Sequence, residues 1–374
     1  MTFPDDVPRL TDGVVTLRAH HRGDVPATFE QGTDPTSQRW TTVPVPYTLA
    51  HAESFVTELV PSGWARGQWA FAVEVLDDGT PRFCGTVELR YDGDGRAEIA
   101  YGAHPWARGR GIVLRALTLL LDWGFEVQGL QTVVWWANVG NWASRRTAWR
   151  LGFAHEGTVR GYLPQRGRLL DGWVGSLQRS DPRTPRHDWL TVPVITGRHV
   201  RLRPFAERDV PRIVEACSDE RTSHWVSQVP RPYTATEARA WLEDQRGHLA
   251  TGSAVTWAVA DLRTDLCLGA VDAFGIVPRR EAEVGFWVHP DARGHGVARE
   301  ACGLALDHCF AAYDGGGLGL TRVRIRSAEG NHASRHVIAA CGCTLVGRER
   351  RALRLGDGTL VDVLCYDVLR EERG

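Results

Sequence analysis

Apolar and polar residues alternate through VVTLRAH (14–20), the period of a half-buried strand. HRGDVPATFEQ (21–31) follows with the polar opening of a helix, and LAHAESFVTEL spaces its apolar residues as a second helix starting near Thr48. WAFAVEV and CGTVELRY read as neighbouring strands parted by the turn residues Asp77, Asp78, Gly79, Thr80 and Pro81. AEIAYGAH makes the next strand. GIVLRALTLLLDWGFEV is apolar at i, i+3, i+4 and i+7 and is the clearest helix in the chain. LQTVVWWANV then predicts a buried strand, WASRRTAWRL a helix ended by Gly152, and a closing strand pair runs to near Leu177.

That order predicts a mixed α/β layer fold, an α+β mixed sheet in which the long helix crosses between neighbouring strands. The whole pattern then occurs again at an offset of about 185 residues. Leu17-Arg18 matches Leu202-Arg203, and Asp24-Val25-Pro26 matches Asp209-Val210-Pro211. AEIAYGAHPWARGRG matches AEVGFWVHPDARGHG without a gap, and NWASRR matches NHASRH. The period is far longer than that of solenoid repeats, so each copy should hold its own core. SDPRTPRHDWL, Ser180 to Leu190, joins the copies, which places one domain at 1–180, a linker at 181–192 and a second domain at 193–374. The second copy differs mainly in YDGGGLGL, Tyr313 to Leu320, whose glycines predict a longer and floppier connection.

Composition narrows the classes. A chain of 374 residues, 43% hydrophobic and 24% charged with a net charge of −1, can bury two cores and carries no global bias toward nucleic acid. All positive side chains apart from histidine are arginine; there is no lysine. The N-terminus has proline and acid where a signal peptide needs a basic start and an apolar run, and no stretch reaches ~18 apolar residues, so a cytoplasmic protein off the membrane is expected. The eight cysteines lack metal or redox spacing and read as reduced core residues, with no metal site. Most tryptophans read as core; Trp64 and Trp69, near the variable side, are candidates to line a substrate pocket.

Two motifs carry chemistry. A strand followed by His-Pro and Ala-Arg-Gly-x-Gly opens the apolar helix, with Arg108, Gly109, Arg110, Gly111 and Ile112 in the first copy and Arg293, Gly294, His295, Gly296 and Val297 in the second. Glycines at a helix N-terminus present unpaired N–H groups and the positive end of the helix dipole, which suits a pyrophosphate. A lone motif of this kind reads better as a tight turn, but its double occurrence between strand and helix favours the anion site. Downstream, Asn141 and Ser144, and again Asn331 and Ser334, stand at a strand-to-helix junction. They read either as helix caps or as a polar pair facing a thioester.

AEIAYGAHPWARGRGIV followed by NVGNWASRRTAWRLGFAHEG, and AEVGFWVHPDARGHGVA followed by EGNHASRHVIAACGC, resemble the GNAT superfamily of N-acetyltransferases and its RimJ/RimL-like branch, once per copy. The resemblance implies acetyl-CoA, or another acyl-CoA, as cosubstrate, with its pyrophosphate on the glycine-turn amides. It implies that the strand edges Tyr101, Gly102 and Ala103, and Phe286, Trp287 and Val288, pair with the pantetheine arm. Trp106 and Asp291 stand where the family commonly has Gln or Arg, a departure from the strict motif. Glu98 and Glu283 match the general base that an ammonium nucleophile requires, although a solvent-facing strand glutamate is the other reading. Ala148 and Ile338 occupy the place of the family's tyrosine acid, which leaves Ser144 and Ser334 beside the sulfur. The implied activity is direct acyl transfer, in a ternary complex, to a primary amine of a small molecule or peptide N-terminus. Either both copies are catalytic, or one is catalytic and the other binds acyl-CoA as a structural or regulatory module. The resemblance leaves open whether the chain works as a monomer or homodimer.

Overall fold

The computed structural model describes residues 7–226 and 229–373, and the chain divides into two compact units between Arg186 and His187. The first unit opens with β1 (Leu10–Thr11) and β2 (Val15–Arg18), followed by the helices α1 (Val25–Thr33), α2 (Pro35–Trp40) and α3 (Leu49–Ser54). A π-helical turn, Phe55–Leu59, carries α3 into α4 (Val60–Trp64). Then come β3 (Gln68–Asp77), β4 (Thr80–Tyr91), β5 (Arg96–Ala103), α5 (Ile112–Glu126), β6 (Thr132–Asn138), α6 (Trp142–Arg150), β7 (Ala154–Gln165) and β8 (Arg168–Gln178). Its sheet runs β1-β2-β3-β4-β5-β6-β8-β7 and is antiparallel throughout except between β5 and β6.

The second unit repeats this order as β9 (Ile195–Thr196), β10 (Val200–Arg203), α7 (Val210–Ser218), α8 (Glu220–Trp225), α9 (Ala235–Thr251), β11 (Ala254–Asp261), β12 (Cys267–Val277), β13 (Glu281–Val288), α10 (Val297–Phe310), β14 (Arg322–Ala328), α11 (His332–Ala340), β15 (Thr344–Arg354) and β16 (Leu360–Leu369). Its sheet order mirrors the first, with β13 and β14 as the parallel pair. The expected mixed α/β fold is therefore present twice.

Each sheet has two different faces. On one, α5 buries Ala116, Leu117, Leu120 and Leu121 against Val87, Leu89, Ile99 and Val133, and α6 adds Ala148 to the same core. Each of those leucines contributes about 2 kcal/mol of burial. The other face carries α1 and α3, which share a smaller cluster of Val25, Ala52 and Val56. In the second unit α10 and α11 take the first role and α7 with α9 the second.

Two differences from the sequence expectation have local causes. The helix α2 is six residues long, too short to show a period, and forms because Pro35 opens it and the Asp34 carboxylate accepts the Ser37 N–H at 2.8 Å. The glycine-rich stretch at 313–320 is anchored: Leu318 and Leu320 are buried, and their N–H groups reach the His308 and Cys309 carbonyls at 3.0 and 2.9 Å. Trp64 and Trp69 pack with Phe71 and Trp123 at the rim of the core, with ring centroids 5.0 to 6.1 Å apart, so both rings have core partners as well as a place near the variable side.

One buried ion cluster ties the end of β2 to the start of α1, and the end of β10 to the start of α7. Arg18 reaches both Asp24 oxygens at 2.8 Å and Glu74 at 2.6 Å; Arg203 reaches Asp209 at 2.7 and 2.9 Å and Asp265 at 2.9 Å. Burial alone would raise the Asp24 pKa, but the guanidinium and the His21 N–H hold it below the usual carboxylate range. Removing one partner strands a buried charge. Asp24→Ala should destabilise the first unit by about 3 kcal/mol in urea unfolding followed by tryptophan fluorescence, and Arg18→Met in the same background should recover part of that loss.

Candidate active site

The parallel strands β5 and β6 pair only from Arg96–Thr132 to Ile99–Trp135. Beyond Ile99, β5 stays paired to β4 as far as Ala103, while β6 stays paired to β8 as far as Asn138. The two strands therefore part company inside the sheet, and the β6-facing edge of Ala100–Ala103, which includes Tyr101, Gly102 and Ala103, has no ladder partner. In the second unit the parallel ladder ends at Glu283–Arg324 and the edge of Phe286, Trp287 and Val288 is left in the same way. Each slot opens toward the N-termini of the two helices that cross it.

The glycine turn sits at one end of the slot. Gly109 and Gly111 adopt φ of +73° and +74°, Gly294 and Gly296 +80° and +78°, and a Cβ built on any of the four meets nothing within 4 Å. No side chain caps α5 or α10. Unfilled N–H groups over open space are the requirement for an anion cradle, so the residues present fit a pyrophosphate. The arginine before the turn is otherwise engaged: Arg108 bonds Asp34 at 2.6 Å and Ser37 at 2.9 Å, and Arg293 bonds Asp219 and, at 2.7 Å, Thr222. These guanidiniums brace α2 and α8 through Nη2.

Charge around the turns differs. Arg82 and Arg110 lie over the Trp106 ring, 4.0 and 5.2 Å from its centroid, so two cations flank the first turn. At the matching place of the second turn the Asp291 carboxylate bonds Arg212 at 3.0 Å.

The strand glutamates also diverge. Glu98 and Glu283 face away from α5 and α10, on the side of α1–α3 and α7–α9. Glu98 takes one contact of 3.3 Å from Arg90, which is chiefly bound to Glu88 at 3.0 Å, and its side chain is 42% exposed. Desolvation is the leading influence on it and raises its pKa. Glu283 is 13% exposed and is gripped by the Arg326 Nε at 3.0 and 3.1 Å, while Arg326 also reaches Glu349 at 3.3 Å. Arg326 matches Trp136 of the first copy, which instead stacks on Tyr162 with 4.5 Å between ring centroids.

At the other end of the slot, Asn141 and Asn331 act as helix caps: each Oδ1 accepts the N–H of the following serine, Ser144 or Ser334, at 3.2 Å. The two readings of this pair are thus compatible, since the asparagine fixes the turn that presents the serine. Ser144 Oγ lies 2.7 Å from the Tyr101 hydroxyl and accepts from the Trp135 Nε1 at 3.0 Å. Phe286 and Ile325 replace that tyrosine and tryptophan beside Ser334.

The model of the acetyltransferase (GNAT) domain matches this chain twice, over residues 15–154 and 199–344. The chain belongs to the GNAT acetyltransferase family. Among curated relatives, the "Putative ribosomal N-acetyltransferase YdaF" of Bacillus subtilis is 27% identical over 182 residues, 47% of this chain and 94% of that protein. The "Uncharacterized N-acetyltransferase p20" of Bacillus licheniformis is 33% identical over 90 residues, covering 24% of this chain and 49% of that protein. Among solved structures, Mycobacterium smegmatis RimJ in complex with CoA-disulfide is 24% identical, with a TM-score of 0.41, and covers 46% of this chain and 83% of that one.

Sequence reasoning missed several residues that lie beside these candidate sites. Asp272 on β12 lies on the same sheet face as Glu283, accepts the Gly285 N–H, and is pushed up to about 6 by burial. A lone acid inside the apolar run GAVDAF was the available signal. The partners Arg90, Arg326, Tyr101 and Trp135 were not legible as such, because each contact crosses between strands or from strand to helix. At the position of the GNAT tyrosine acid, Ala148 and Ile338 are buried in their cores, 3% and 0% exposed.

Proposed function

We propose that the chain is an acyl-CoA-dependent N-acyltransferase, with acetyl-CoA as the favoured donor, and that the first unit carries the turnover. The observation behind this reading is the slot between β5 and β6, with an amide cradle at one end, Ser144 at the other and a desolvated carboxylate on the open face. An acyl-CoA bound there supplies an activated thioester. The N–H groups around Gly109–Ile112 hold the pyrophosphate, and the free edge of Tyr101–Ala103 holds the amide-bearing arm. The slot passes through the sheet, so its two faces have separate tasks.

On the α1–α3 face Glu98 receives the proton of the incoming ammonium, directly or through water. Its pKa, raised by desolvation, makes it a better base than an ordinary surface glutamate. On the α5–α6 face Ser144 is placed to hydrogen-bond the departing sulfur. Transfer is direct, in a ternary complex. The acceptor is a primary amine of a small molecule or of a peptide N-terminus, and the word ribosomal in YdaF's name makes a protein acceptor the first to test. The domains of this reading are 1–180 and 193–374 with a linker between.

The second unit is the weaker catalyst in this reading, because a carboxylate clamped by a guanidinium is a poor base. Its amide cradle supports a structural or regulatory role in binding acyl-CoA. If it does turn over, Asp272 is the better base there.

Titration calorimetry with acetyl-CoA should count the competent cradles. Gly111→Glu sets a carboxylate against the amides of the first turn and should abolish its binding heat, and Gly296→Glu should do the same for the second. Persistence of full binding in the double variant would sink the cradle assignment. For catalysis, an acyl-CoA screen against amines and short peptides is read by free-thiol release. Glu98→Gln should lower kcat at least tenfold while acetyl-CoA affinity stays within twofold; Glu283→Gln should leave kcat unchanged. A base works deprotonated, so kcat/KM should rise with pH through a limb lying above the ordinary glutamate value of 4.5, and that limb should vanish in Glu98→Gln.

A further inference from the structure

The hydrogen bonds around Ser144 bear on which way its own proton points, and either hydroxyl can be the donor in its contact with Tyr101. A serine hydroxyl offers one donor and two acceptor lone pairs. The Trp135 indole N–H can only donate, and it does so to Ser144 Oγ at 3.0 Å. The Tyr101 hydroxyl lies 2.7 Å from the same oxygen and 3.2 Å from the Ser144 carbonyl. The shorter contact is the usual length of an O–H···O bond and the longer one falls outside that range. When Tyr101 donates along the shorter contact, both lone pairs of Ser144 Oγ are filled.

We propose that Tyr101 and Trp135 are positioning residues that turn Ser144 into an obligate donor, its O–H directed away from both and into the slot where the leaving sulfur develops charge. This rests on the assignment of Ser144 to the sulfur side and adds the reason that a weakly acidic hydroxyl suffices. A serine free to rotate spends its proton on whichever neighbour accepts it; a serine held by two donors has one direction left. Tyr101 is part-buried, and desolvation raises its pKa above the ordinary tyrosine value of 10.0, so it keeps its proton throughout the neutral range. No proton leaves Tyr101 or Trp135. The serine proton is shared with, or passed to, the thiolate, and solvent restores it. The second copy supplies the contrast. Ser334 has the same cap from Asn331, but Phe286 has no hydroxyl and the Ile325 side chain no N–H, so its hydroxyl is not committed in this way.

The test uses the whole chain with acetyl-CoA and hydroxylamine, a nucleophile uncharged at neutral pH, so that deprotonation of an incoming ammonium, the step assigned to Glu98, is not part of what is measured. Tyr101→Phe, the residue found in the second copy, should lower kcat about tenfold, the scale of one hydrogen bond, with KM for acetyl-CoA within twofold. Trp135→Phe should act in the same direction. Ser144→Ala should also be slow, and Tyr101→Phe combined with Ser144→Ala should be no slower than Ser144→Ala alone, since Tyr101 acts through the serine. A structural role for Tyr101 would instead make the two losses multiply, and that result overturns the proposal. A wild-type rate in Tyr101→Phe overturns it as well, leaving Ser144 in place if Ser144→Ala is slow. A wild-type rate in Ser144→Ala removes both this inference and the sulfur-side role on which it rests.

Discussion

Both units are organised by the early end of a parallel ladder. Parallel strands normally continue pairing until one of them ends, yet β5 and β6 separate after Ile99, and β13 and β14 after Glu283. Each strand keeps its outer neighbour, so the sheet is not weakened across its whole width. The inner edges are left with unspent backbone groups, which in an interior must find a partner. In the function proposed, a ligand rich in amides answers that need. The rest follows from placement: helices that start at the end of parallel strands bring their positive ends to the opening, and the alternation of side chains sends Glu98 to one face and Tyr101 with Trp135 to the other.

Duplication has preserved backbone more faithfully than chemistry. The ion clusters of Arg18 and Arg203, the caps of Asn141 and Asn331, and the left-handed glycines all recur with nearly the same geometry. Side chains facing the slots have drifted. Trp136 stacks on Tyr162 where Arg326 clamps Glu283, and Trp106 takes two arginines where Asp291 takes one. The pattern separates what folding requires from what a reaction requires.

The order of elements was legible in the sequence because hydrophobic period reports burial, and burial is what distinguishes α5 from β6. The short helices α2 and α8 were not, since six residues make too few turns to show a period; Asp34 with Pro35, and Asp219, were the local signs of them. The glycine turns and the serines could be found by motif. Their working state could not, because it depends on partners distant in sequence: Arg90 and Arg326 for the glutamates, Tyr101 and Trp135 for Ser144. The loop at 313–320 shows the opposite error, where glycine content suggested looseness and two buried leucines impose order.

Every ion pair described above takes its cation from arginine or histidine, because the chain contains no lysine. A guanidinium keeps its charge at any physiological pH and is a very poor nucleophile. An ε-amine beside an activated acyl group would be a competing acceptor, close at hand and at high effective concentration. The folded surface therefore offers its own reagent no side-chain amine to acylate, and it can carry a dense set of cations around an acyl-transfer site without self-modification at any of them.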